Sequence, residues 1–197
     1  MKDIEKFVSV LLVVFMIYGC TRNDKKSTYL SSKKLDSLKS HYELLNSEVS
    51  LNWSVMIEDD NEKLFSMKRL LEEVSYTGAY NVKQFNQLIE ELEVLKLNRY
   101  SQETMTNSRL IDDYDSMSNQ IISEVIDFAQ HHPEFDRYPL MSELTNEIME
   151  SQYNVLHHRI RYDKAVDDYN YFLEENEAII NQITSNKVHS MPVFRIE

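Results

Sequence analysis

Glycine and proline are almost missing from this chain, with two of one and three of the other in 197 residues. A β-sandwich or barrel of this length needs turn residues at every strand junction, so that class of fold is excluded. Dinucleotide-binding and P-loop domains need glycines where backbone meets phosphate. Gly19 lies in an N-terminal apolar stretch, which leaves Gly78 alone for the rest, and phosphate-cradling loops are excluded with it. Cysteine occurs once, at position 20, so no intrachain disulfide can form and stability must come from packing. Positive charge is also short: 21 Lys and Arg stand against 33 Asp and Glu, a formal net charge of −12. A surface this acidic repels a phosphate backbone and argues against nucleic acid as a partner. The exception is the stretch from Cys20 to Ser40, where Arg22, Lys25, Lys26, Lys33, Lys34 and Lys39 outnumber Asp24 and Asp36. Such a stretch suits either anionic head groups or a plain solvated tether.

What is present begins with an export pattern. Lys2 and Lys6 precede an apolar run from Phe7 to Tyr18, about a dozen residues long. That length matches the hydrophobic region of a signal peptide and is short of the roughly 20 residues of a membrane-spanning helix. The run ends in Ile17-Tyr18-Gly19-Cys20. This resembles a bacterial lipobox, with an aliphatic residue at −3, a small one at −1 and the cysteine that takes the lipid; Tyr18 stands where a small residue is usual. The expectation is a signal peptide over 1–19, a lipidated (palmitate-type) Cys20, and a polar tether through residue 32. Acyl chains contribute about 0.8 kcal/mol per buried CH₂, so two or more hold a soluble domain on a membrane. An uncleaved membrane anchor is the alternative, and either places the remainder outside the cytoplasm. Thr21 after the cysteine, with no Asp there, favours the periplasmic face of an outer membrane.

The remainder is written in helix periods. Apolar residues recur every three or four positions from Leu35 through Leu38, Tyr42, Leu45, Val49, Trp53 and Ile57, and again from Leu64 through Met67 and Leu71 to Val74. Asp60 interrupts this series and, inside Glu58-Asp59-Asp60, suggests either one polar place in a seam or a helix break. Tyr76 to Tyr80 around Gly78 reads as a turn, with Asn81 capping a helix to about Leu97. Residues 99–108 are polar and read as a loop or frayed turn. Leu110, Tyr114, Met117, Ile121, Val125 and Phe128 form a third seam that ends at His131-His132-Pro133. The last helix starts near Pro139 and carries Leu144, Ile148, Ser151, Val155, Arg159, Tyr162, Val166, Tyr169, Leu173, Asn176, Ile180 and Ile183. At 1.5 Å per residue its 45 or so positions span roughly 70 Å. The expected fold is all-α: an elongated antiparallel bundle of three to four helices over 33–184, two of them long, followed by a tail over 185–197.

Residues 132–170 resemble the LemA family. The matching residues are His132-Pro133-Glu134-Phe135, Leu144-Thr145-Asn146-Glu147-Ile148, Asn154, Arg159, Tyr162-Asp163-Lys164-Ala165-Val166 and Tyr169-Asn170. Trp53-Ser54, the segment from Leu64 to Leu71, and Pro192-Val193-Phe194 extend the likeness over about 42–194. The resemblance implies a helical bundle tethered at its N-terminus to a membrane, with no securely assigned catalysis.

The residues themselves offer little reactive chemistry. Histidines stand as His131-His132 and His157-His158, with His41 and His189 alone. Neighbouring histidines on a helix point about 100° apart, whereas a zinc site wants ligands four apart. Glu143, Glu147 and Glu150 have the spacing of di-iron bundle ligands but lack the Glu-x-x-His that accompanies it. With neither a Ser-His-Asp nor a Cys-His arrangement, no catalytic residue, cofactor or metal is assigned. Arg159 falls on an apolar seam, where a buried guanidinium needs a partner. The expected pairing is with Asp60 or, by stacking, with Trp53, and the alternative is that Arg159 snorkels outward. Tyr162, Tyr169 and Tyr171 read as core and rim. The functional expectation is a non-catalytic, membrane-tethered helical-bundle lipoprotein that binds an envelope protein or another copy of itself; the alternative is a lipoprotein that binds a ligand or metal.

Overall fold

A computed structural model describes residues 31–194, and the expected signal peptide and lipidated Cys20 lie outside the described residues. Contacts divide the chain at Leu35. Of the first unit only residues 31–35 are described; they include the opening turn of the first helix. The second unit, from Asp36 onward, holds everything that follows.

The described residues are helical and contain no strand. Helix α1 runs Ser32–Tyr76, α2 Val82–Leu97, α3 Ser108–Gln130 and α4 Pro139–Thr184. A single 3₁₀ turn, Phe135–Arg137, joins α3 to α4. The fold is thus an all-α bundle with two long helices of 45 and 46 residues. α1 is continuous through Glu58-Asp59-Asp60, so the acidic run marks a polar place in the seam and not a break.

Local chemistry fixes the ends. Gly78 takes φ +74°, a left-handed conformation that side chains disfavour, and lets α1 reverse into α2. Asn81 caps α2 by accepting the amide of Gln84 at 3.2 Å. Pro139 opens α4, where its missing N–H costs nothing. Buried His132 ties the two ends together. Its Nδ1 accepts the amide of Glu134 (3.1 Å), so Nε2 carries the proton, facing the carbonyl of Ala79 (3.0 Å) and the hydroxyl of Thr77 (2.9 Å). This histidine is a tie between two turns.

Pairings show the helix directions. Asp59, Lys63 and Ser66 of α1 meet Ser151, Gln152 and Glu147 of α4, while Tyr42 and His41 meet Tyr169 and Phe172. Rising numbers on one helix meet falling numbers on the other, so α1 and α4 are antiparallel. α3 lies antiparallel to α4, through Asp115–Arg159 and Asn119–Gln152.

Burial follows from this layout. In the first half of α1 only Leu45 and Val49 are buried, because α4 is its main partner. Beyond Met56 the buried set widens to Lys63, Ser66, Met67, Leu70, Leu71 and Val74, since α2 and α3 now pack alongside. The α3 face is the expected one through Tyr114, Ile121, Val125 and Phe128, with Met117 partly buried against the core; Ile111 takes the place expected for Leu110, which is exposed, and Ser118 joins the buried set. Residues 185–194 fold back along α4 in extended form. Side chains of α4 hold the backbone: Asn181 accepts the Val188 amide (2.7 Å), and Asn170 both accepts from Met191 N–H and donates to Met191 C=O, each at 2.8 Å. Asp163 accepts the Phe194 amide at 2.7 Å. Val188 and Phe194 are buried as a result.

Candidate functional site

Halfway along the bundle, where α2 and α3 begin to cover α1 and α4, charged and aromatic side chains gather. Asp60 of α1 is one hub. Lys63, one turn on, reaches its Oδ1 at 3.0 Å, Arg99 from the α2–α3 connection reaches Oδ2 at 2.7 Å, and the Tyr114 hydroxyl donates to Oδ2 at 2.5 Å. The side chain of Lys63 is 2% exposed, and it also donates to Gln152 at 3.2 Å. A cation this deep persists only because both contacts replace water.

Arg159 of α4 is the other hub. Its two terminal nitrogens each donate to an oxygen of Asp115 at 2.7 Å, a bidentate pair, and Nη2 also donates to the Tyr100 hydroxyl at 3.2 Å. The guanidinium carbon lies 4.8 Å from the centroid of Phe194, so the tail covers its flat face. The expected pairing is therefore corrected. Arg159 is held by Asp115, Tyr100 and Phe194; Asp60 is already engaged by Lys63, Arg99 and Tyr114. Trp53 instead lies edge-on to Tyr162 and Tyr100, with centroids 5.4 and 6.3 Å away. The three residues singled out in the sequence do lie in this one region, with different partners.

Aromatic rings fill the space between the hubs. Tyr100 meets Tyr114 at 5.6 Å and Phe194 at 5.9 Å, and Phe194 meets Tyr162 at 5.6 Å. Edge-to-face pairs of this kind contribute about 0.5–1.5 kcal/mol each beyond their burial. The Tyr162 hydroxyl accepts from Gln102 at 2.9 Å and donates to the Pro192 carbonyl at 3.3 Å. Tyr162 and Tyr169 are core and Tyr171 is rim, as expected.

Sequence reasoning missed Lys63, Arg99, Tyr100, Asp115 and Ser118. One signal was available: Ser118 is the one polar residue in an otherwise unbroken three-four seam on α3. Arg99 and Tyr100 sit in a segment whose polarity resembled a solvated loop, yet Tyr100 and Met105 are buried.

Between α1, α3 and α4 the site encloses a cavity of about 250 Å³, lined by parts of both hubs and by Ser118, Asn119, Val155 and Leu156. Among the described residues no group of three or more His, Cys, Asp or Glu is gathered to hold a metal ion. The electrostatics favour neutral phenols. Burial pushes Tyr100 up against the opposing pull of Arg159. Burial, then the charge and hydrogen bond of Asp60, push Tyr114 far above the ordinary phenol range. Burial raises Tyr162 and Tyr169 as well. For Arg159 burial works against the charge, but the hydrogen bonds it donates to Asp115 and Tyr100 and their charges more than offset it, so the guanidinium stays charged.

Comparison with known protein families, with curated proteins and with solved structures returns no match.

A phenol raised in the folded state contributes stability that is intact below the unfolded pKa of about 10 and is lost as pH climbs toward the folded value. Urea midpoints are expected to hold level from pH 7 to about 9.5 and fall steadily above pH 10, less steeply in Tyr114→Phe. Midpoints that stay level or rise above pH 10 would contradict the burial of these hydroxyls.

Proposed function

We propose that this chain is a non-catalytic lipoprotein of the bacterial cell envelope, anchored through a lipid on Cys20, whose bundle binds a partner protein. The observation that carries the binding half is a row of exposed apolar side chains on α4: Met149, Tyr153, Leu156 and Ile160, between 37% and 72% exposed. Their four-three-four spacing puts them on one face, the arrangement a helix presents to another helix. Beside the row, Ile122 and Ile126 of α3 and Met149 of α4 line a shallow groove. An amphipathic partner helix fits such a groove by laying its apolar side along it. The non-catalytic half rests on the sequence, which holds neither a Ser-His-Asp nor a Cys-His arrangement.

The anchor rests on the sequence: an apolar run of signal-peptide length ending at the chain's only cysteine. No helix among the described residues is long and apolar enough to cross a membrane. The likeness of residues 132–170 to the LemA family supports the same reading of a membrane-tethered bundle.

Two measurements test the proposal. Mass spectrometry of the mature N-terminal peptide from cells is expected to find an acylated Cys20, with the chain released from membranes in Cys20→Ala; an unmodified thiol in membrane-bound protein defeats the anchor. A photo-cross-linker at position 153 in living cells is expected to give one discrete adduct that Ile160→Asp removes. Only a smear of abundant envelope proteins, or an adduct indifferent to that substitution, defeats the docking face.

A further inference from the structure

We propose that the partner on the exposed face of α4 is a second copy of this chain, packed antiparallel across a two-fold axis between Tyr153 and Leu156. This names the occupant of the docking face in the proposed function and rests on that reading. The face is short. Its apolar row, Met149, Tyr153, Leu156 and Ile160, steps four-three-four, and the next positions in the same rhythm are Asn146 before it and Asp163 after it. Asp163 is committed to the Phe194 amide. The row thus spans about three turns, roughly 17 Å, with a polar residue at each end.

What flanks the row selects the partner. On the edge away from α3, residues seven apart hold equivalent places: Glu143, Glu150, His157 and Lys164. All four are exposed, and Glu143, Glu150 and Lys164 make no ion pair among the described residues. Acid stands at one end of the row and base at the other, with exposed Arg161 adding to the basic end. Glu147, the remaining acid of this stretch, turns to Ser66 of α1. On the opposite edge lie Asn119, Ile122, Ser123 and Ile126 of α3, all uncharged. The acids beyond them are engaged: Asp115 binds Arg159, and Asp127 lies 3.0 Å from His131.

An edge polarised in this way complements itself only when turned end for end. With two rows antiparallel and fully overlapped, Met149 of each copy faces Ile160 of the other, and Tyr153 faces Leu156. The same register brings Glu143 level with Lys164 of the other copy and Glu150 level with His157, each twice because the axis is two-fold. A parallel pair would set Glu143 and Glu150 against themselves and Lys164 against itself. The whole chain carries a net charge of −12 and repels a second copy over most of its surface, whereas along this edge the charges of two copies cancel. Tyr153, 72% exposed, falls beside the axis, the central place where an aromatic anchor contributes most. Three turns from each copy make less than a standard interface, so the pair is weak in dilute solution and is best caught covalently.

The test keeps the full chain in living cells, co-expressed in two forms with different tags, each carrying the photo-cross-linker at position 153. The expected adduct contains both tags and has the mass of two chains. Glu143→Lys or Lys164→Glu introduced into both forms, each at an exposed position, is expected to lower its yield about threefold or more, because two like-charged pairs then meet across the axis. Placing Glu143→Lys in one form and Lys164→Glu in the other is expected to restore the two-tag adduct, since every pair across the axis is again opposite in charge. That recovery also shows that both variants fold. A discrete adduct with a different protein overturns self-pairing and leaves the docking face standing. A two-tag adduct that the single variants leave unchanged, or that the mixed pair does not restore, overturns the antiparallel pairing. The absence of any discrete adduct defeats the docking face and this pairing together.

Discussion

A guanidinium set among aromatic rings loses several kcal/mol of hydration, and only close, well-aligned partners offset that loss. At Arg159 those partners come from separate parts of the chain: the carboxylate of Asp115 from α3, the hydroxyl of Tyr100 from the α2–α3 connection, and the ring of Phe194 from the C-terminal tail. None of the three is near Arg159 in sequence, so satisfying one charge brings three segments to one place. The Asp60 hub repeats the logic from α1, drawing in Lys63, Arg99 and Tyr114. Apolar packing can accept small slips of one helix along another, whereas a bidentate ion pair cannot. The two hubs therefore set the register of α4 on α3 and of α3 on α1, and through α3 that of the long helices.

The rest of the unit follows from that register. On one side of the hubs α1 and α4 are joined by α2 and α3, and the apolar core is wide. On the other side α1 and α4 face each other with a narrower seam, and the extended tail supplies the third layer. Tail residues cannot complete a ladder with a strand, so α4 offers side-chain amides and a carboxylate in place of one. Asn170 meets both the donor and the acceptor of Met191, and Asp163 and Asn181 take the amides at either end. One physical reason thus joins several scattered residues: Arg159, Tyr162, Asp163 and Asn170 of α4 all hold the tail at Met191, Pro192 and Phe194.

Much of the helical layout was legible because it rests on local signals. Gly78, Asn81 and Pro139 mark ends through backbone conformation and capping, and the three-four spacing marks the buried faces. The α3 face was legible through Tyr114, Ile121, Val125 and Phe128; its first position was misplaced because Leu110 and Ile111 are both apolar and adjacent, and Ser118 was missed because it is polar. The site was only half legible. Arg159 stands out as a cation on an apolar seam, but its partner is one of 33 acidic residues, most of which face solvent. Choosing Asp115 over Asp60 requires knowing how α3 lies on α4, which no local pattern encodes. Asp60 read equally well as a helix break because its three partners lie on other turns or elements. The tail carried no periodic signal, since its bonds run to side chains.

The claim that Arg159 and Asp115 set the register is tested most directly by a double-mutant cycle with Arg159→Met and Asp115→Leu, read by urea unfolding. Asp115→Leu strands the Arg159 guanidinium, whose side chain is 15% exposed, and is expected to cost about 3 kcal/mol; Arg159→Met frees Asp115, which is 34% exposed, and costs less, while the double variant loses less than the sum, with a coupling of about 1 kcal/mol or more. Additive losses, or single substitutions that cost under about 0.5 kcal/mol, would show that the pair does not constrain the bundle.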